Sequence, residues 1–126
     1  MRRRLSLALA LAALLALAVP AVAKDVVFQT PSKKIACRIY NPANQGLEIR
    51  CDLFFLNDRA VRMTRHGTAR LIHVTDTIGD PKAPVLAYGK TKRAGPFTCT
   101  SRRTGLSCHN RNGHGFTVSR ERQSVH

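Results

Sequence analysis

The stretch KIACRIYNPANQGLEIRCDLFF, Lys34 to Phe55, decides how the rest of the chain is read. From Leu47 onward, Leu47, Ile49, Cys51, Leu53 and Phe55 fall on one face of an extended chain, and Glu48, Arg50 and Asp52 fall on the other. A period of two is the pattern of a strand with one buried face and one wetted face. The preceding run, KIACRIY from Lys34 to Tyr40, reads as a second strand. The NPANQ between them, followed by Gly46, supplies turn residues. Setting Cys37 opposite Cys51 places Ile39 against Ile49 and Ile35 against Leu53, with the connection centred on Asn44. The apolar residues then pair on one face. Directly opposed residues of an antiparallel pair also bring their Cβ atoms within disulfide reach.

The same argument applies to GPFTCTSRRTGLSCHNRNGHGF, Gly95 to Phe116. With Cys99 opposite Cys108, Ser101 faces Leu106. Arg102 to Gly105 is left as a four-residue loop, with Gly105 suited to a left-handed position. Four cysteines allow three pairings. The nested and crossed alternatives ignore both turn signals, so Cys37–Cys51 and Cys99–Cys108 are expected. A redox role for the C-x8-C pair lacks a close attacking geometry. Cys99, Cys108, His109 and His114 do not have zinc-ligand spacing. No metal and no cofactor is expected.

Working outward, DVVFQT, TARLIHVTDT, APVLAYGKT, FTCTS, GLSCHN and GFTVSRE are further short β-favouring runs, separated by Gly, Pro, Asn and Asp. LNDRAVRMTRHG reads as either a long loop or a short helix, which leaves the conformation of residues 54–70 open. The expected fold is all-β: a small antiparallel sandwich or barrel of roughly eight short strands stapled by two disulfides.

The beginning of the chain is of another kind. Arg2, Arg3 and Arg4 precede an apolar run from Leu5 to Val19, and Ala21-Val22-Ala23 is a small-x-small cleavage site. This is the pattern of a secretory signal peptide over residues 1–23. It leaves residues 24–126 as a single exported β domain, periplasmic or extracellular, with no transmembrane span after cleavage. Export into an oxidising compartment agrees with paired cysteines.

Charge bounds the partners. The chain has 21 Lys and Arg against 7 Asp and Glu, a formal net charge of +14. From residue 59 onward the only acids are Asp76, Asp80 and Glu121. A field of that sign draws anions. Arg102, Arg103, Arg111, Lys90, Lys92 and Arg93 are the candidate binding residues, and an anionic envelope polymer or an acidic protein is the expected partner of a monomer. With no Trp and two Tyr, a stacking platform for bases is poorly supplied, so no specific nucleic acid is expected. The alternative is a small nuclease-like hydrolase, with His114 or His109 as acid or base beside the arginines. No G-x-S-x-G elbow supports serine chemistry. A secreted enzyme inhibitor is a third reading, but a basic target such as lysozyme would be repelled.

The segments FQTPSKKIACRIY, LEIRCDL, APVLAYGKT and GPFTCTSRRTGLSCHNRNGHGFTVSRE resemble a family of small secreted bacterial proteins catalogued as a domain of unknown function. The resemblance implies export, disulfides and one domain, and it implies no activity. Family members often carry a further cysteine pair in mid-domain, which this chain lacks. Lys33-Lys34 stands where the family usually has Gly-Asn, which bears on whether a tight turn forms there.

Overall fold

Among the described residues, ten strands form two five-stranded antiparallel sheets. The computed structural model describes residues 24–126; the signal peptide expected over 1–23 lies outside the described residues. The first sheet contains β1 (Val26–Gln29), β2 (Ile35–Tyr40), β3 (Glu48–Leu53), β4 (Arg59–Thr64) and β5 (Arg70–His73). The second contains β6 (Thr91–Ala94), β7 (Phe97–Arg102), β8 (Gly105–His109), β9 (Gly115–Val118) and β10 (Gln123–Val125). Each sheet is a meander in which sequence neighbours are also hydrogen-bonded neighbours. One core joins both sheets: Phe28, Ile39, Ile49, Leu53, Val61 and Met63 from the first, and Phe97, Leu106, Phe116 and Val118 from the second. Among the described residues no helix is long and apolar enough to cross a membrane.

Both disulfides form as the hairpin pairing requires. Cys37 opposes Cys51, with Ile39 against Ile49 and Ile35 against Leu53. Cys99 opposes Cys108, with Ser101 against Leu106. The Cα–Cα separations, 4.0 and 4.1 Å, belong to directly opposed residues. All four cysteines are buried in the shared core, so each staple ties a hairpin at the level where the sheets meet. The β7–β8 loop is shorter than expected. Arg102 still pairs with Gly105, leaving Arg103 and Thr104 as a two-residue turn. Gly105 has φ 140°, and a Cβ there would lie 2.6 Å from the Val118 carbonyl oxygen, so the position demands glycine.

Three strand placements depart from the sequence reading. The stretch LNDRAVRMTRHG is neither long loop nor helix but contains β4. Its alternation is masked because Ala60 as well as Val61 is buried. APVLAYGKT is not a strand: Val85 makes a single parallel bridge to Gln29, and the strand lies later, at Thr91–Ala94. β10 went unanticipated because Gln123-Ser124-Val125 carries too little apolar alternation to announce it.

The largest departure concerns β3. Alternation puts Glu48, Arg50 and Asp52 on a wetted face, yet all six residues of the strand are buried. The register explains the need for cover. Arg38, Arg50, Arg62 and Arg70 are successive cross-strand partners on this face, a row of like charges. Unrelieved, such a row is destabilising. Acids interleave with it: Asp25 binds Arg38 at 2.9 Å, Glu48 binds Arg62 at 2.9 Å, and Arg50 reaches Asp52 at 2.8 Å and Asp76 at 3.0 Å. The segment from Val74 to Ala87 then runs over this face as a strap. Asp52 Oδ2 accepts hydrogen bonds from the Thr77 hydroxyl and the Ile78 N–H, both at 2.9 Å. The Ile78 carbonyl accepts from Arg38 at 3.2 Å. Beyond it, Gln29 donates to the Ala83 carbonyl at 2.9 Å. Burial works against the charged Arg50 guanidinium, but the Asp52 and Asp76 carboxylates together more than offset this, and the Arg50 pKa is raised.

A second tie lies at the far end of β8. Asn110 is 2% exposed. Its amide donates to the Thr64 and Gly67 carbonyls at 3.0 and 2.9 Å. Its side-chain oxygen accepts from the Asn112 and His114 N–H groups. One side chain thus closes the β8–β9 loop and fastens it to the β4–β5 loop of the other sheet.

The β1–β2 turn is tight despite Lys33. Lys33 N–H donates to the Thr30 carbonyl at 2.8 Å, Thr30 N–H donates to Ile35 at 3.0 Å, and Lys33 has φ 60°. The glycine implied there by the family resemblance is what that left-handed geometry favours.

Two predictions follow from these contacts. Asp52→Ala should lower the unfolding free energy by about 3–5 kcal/mol, because it strands a buried guanidinium. Asp76→Ala should cost under about 1 kcal/mol, because the Asp76 side chain is 70% exposed. Urea denaturation of both variants checks the contrast, and equal losses would contradict it. Lys33→Gly should be stabilising by about 0.5–1 kcal/mol, the relieved backbone strain outweighing the added freedom of the unfolded chain. The same titration reads it, and a loss of stability would show that the lysine is not strained.

Candidate functional site

Three turns meet at one end of the sandwich: residues 30–34 between β1 and β2, Arg103-Thr104 between β7 and β8, and residues 119–122 between β9 and β10. They border a cleft of about 310 Å³ with Leu106 and Phe55 in its lining. Its cations come from all three hairpin ends: Lys34 from the first, Arg103 and the last β7 residue Arg102 from the second, Arg120 from the third. Glu121 is the one acid in the lining.

The backbone that carries each cation is fixed by its hairpin. Arg102 ends β7 in register with Gly105. The Arg103 guanidinium lies 5.0 Å from the centroid of the Tyr88 ring, a cation–π distance. Tyr88 is in turn held close to β7, since Gly89 N–H donates to the Ser101 carbonyl at 2.7 Å and Ser101 N–H donates to Lys90 at 3.0 Å. The third turn closes through Ser119 N–H to the Arg122 carbonyl at 2.8 Å, and Gln123 donates to the Ser119 carbonyl at 2.8 Å. In the first turn the Ser32 hydroxyl accepts from Lys34 N–H at 3.2 Å. Behind the tip, the Ser101 hydroxyl opposes Leu106 and is buried without a hydrogen-bond partner.

The electrostatics follow from how the acids are used. Four of the chain's seven acids, Asp25, Glu48, Asp52 and Asp76, pair with arginines of the first sheet. The arginines of that row are therefore largely neutralised in place. The cleft keeps four cations against Glu121, and the net potential there is positive.

The other candidate residues are spread out. Lys90 lies near the cleft through its bond to Ser101. Lys92 and Arg93 lie along the exposed edge strand β6, opposite Cys99 and Thr98. Arg111 falls in the β8–β9 loop, at the other end of a five-residue strand and so about 16 Å away. His109 and His114 belong to that far end too, and no histidine lines the cleft. Gly113, with φ 81°, serves the turn closed by its N–H to Asn110, and His114 N–H also bonds Asn110. The structure thus gathers Arg102 and Arg103, sets Lys90 beside them and leaves Arg111 apart. Among the described residues, no three His, Cys, Asp or Glu side chains come together as a metal-holding group.

Sequence reasoning missed Lys34, Arg120 and Tyr88. Their only shared signal is that each falls in a connection between strands, and which connections share an end depends on the completed topology.

No curated protein and no solved structure matches the chain. Residues 41–126, which include β3 to β10, the strap and two of the three turns that border the cleft, match the profile of a family of unknown function (DUF6636), and the chain belongs to that family.

Proposed function

We propose that the protein is an exported, non-enzymatic binding module for anionic polymers or acidic proteins of the cell envelope, acting in the periplasm or outside the cell. The observation that carries this reading is the convergence of Lys34, Arg102, Arg103 and Arg120 on one cleft with a single acid in its lining. These groups come from three short turns anchored to stapled strands, so little ordering entropy is lost when a ligand docks. Arginine suits the task, since its planar fork takes a carboxylate or phosphate through two parallel hydrogen bonds. The two disulfides are compatible with export. The nuclease-like reading would need a histidine beside these arginines, and the cleft lining contains none.

Binding of labelled polyglutamate as a function of salt tests the proposal. The wild type should bind with a clear negative slope of log affinity against log salt. Arg102→Ala combined with Arg103→Ala should weaken binding about tenfold or more and flatten the slope by about two cations' worth, with the melting temperature unchanged. Arg59→Ala with Arg65→Ala, exposed cations elsewhere, is the control. Equal losses in the two double variants would mean diffuse charge and no site.

A further inference from the structure

The outer face of the second sheet carries a pattern that the cleft does not use. Thr91 opposes Thr100, Thr100 opposes Ser107, Ser107 opposes Thr117, and Thr117 opposes Ser124. Every strand from β6 to β10 therefore contributes one hydroxyl to a single row. Two neighbouring pairs are bonded: Thr91 to Thr100 at 3.0 Å and Ser107 to Thr117 at 2.8 Å. On one side the next row runs through Arg93, Thr98, His109 and Gly115, whose backbone pairs with His126. On the other side lie Arg102 and Gly105, with Ser119 and Arg122 beyond them. Arg93, Arg102, His109, Arg122 and His126 are exposed. None of these rows contains an acid, a Phe, a Tyr or a branched aliphatic residue.

We propose that this face binds an extended acidic polysaccharide, a chain whose sugars carry carboxylates as well as free hydroxyls, lying along the hydroxyl row. Three features select that ligand. Serine and threonine hydroxyls donate and accept, as sugar hydroxyls do. They recur at the strand spacing of about 4.8 Å, close to one pyranose ring along an extended chain. The arginines flanking the row are placed to take the carboxylates. A protein partner would want a desolvated apolar centre, and nucleic-acid bases would want aromatic platforms; the face offers neither. Of these residues Arg102, Gly105 and Ser119 also line the cleft, and no member of the hydroxyl row does, so this surface and the cleft reading can fail separately.

The test compares polygalacturonate with polyglutamate, which is equally anionic but has no hydroxyls, and with oligo-deoxythymidine. Thr100→Val with Thr117→Val removes two hydroxyls from the row and keeps β-branched, strand-favouring side chains. The variant should lose about tenfold in affinity for polygalacturonate, about what two lost hydrogen bonds are worth. Its binding of polyglutamate and its melting temperature should not change. Should that variant fold poorly, Ser107→Ala with Ser124→Ala asks the same question from the neighbouring hydroxyls. Unchanged polygalacturonate binding, or equal loss for both polyanions, overturns the proposal. Tighter wild-type binding of oligo-deoxythymidine than of polygalacturonate at matched charge and salt would overturn it in favour of a nucleic-acid surface.

Discussion

The contact between Asp52 and Arg50 organises half of this molecule. Both side chains are buried on the outer face of β3. Taking two charges out of water is costly unless their remaining hydrogen-bonding capacity is met. Asp52 meets it through the Thr77 hydroxyl and the Ile78 N–H, and Arg50 through Asp76. Those partners all belong to one irregular segment between β5 and β6. The ion pair and the strap therefore need each other: without the strap the charges would face open water, and without the charges the strap would have little to hold it across the sheet. This mutual dependence accounts for a long connection in a small domain, where irregular loops of such length are uncommon.

The same arrangement shapes the exposed charge. A row of four arginines across one sheet consumes most of the nearby acids. The second sheet and the turns at its end carry cations without that compensation. The uneven charge visible along the chain thus becomes a division between faces. One sheet pairs Arg38, Arg50 and Arg62 of its arginine row with acids and is partly covered by the strap; the other presents arginine, histidine and hydroxyl groups to solvent. Family membership adds no chemistry to this picture, since the family has no known function. The functional reading rests on these positions alone.

The parts of the fold that could be read in the sequence were those governed by local rules. Alternation in Leu47–Phe55, turn residues in NPANQ and the cysteine spacing were enough to give the register of two hairpins and both disulfides. The rest depended on partners far away in sequence. Ala60 looks out of place in a strand until Asp52 and the strap cover its face. Val85 looks like a strand residue, but it adds only one bridge to the edge of β1. Asn110 reads as an ordinary loop asparagine, and its role comes from carbonyls of the other sheet, at Thr64 and Gly67. The candidate site was half legible for the same reason. Arg102 and Arg103 stand together in sequence at a hairpin tip, whereas Lys34 and Arg120 join them only through the meander topology.

Native-state amide exchange at Ile78 tests the mutual dependence of strap and ion pair most directly. Ile78 lies in no strand, yet its N–H is bonded to the buried Asp52 carboxylate. If that bond fixes the strap to the sheet, Ile78 should exchange as slowly as the amides of β3, opening only with the sheet itself. Exchange of Ile78 at the rate of a free loop amide, while β3 stays protected, would show that the strap detaches on its own and would contradict the account.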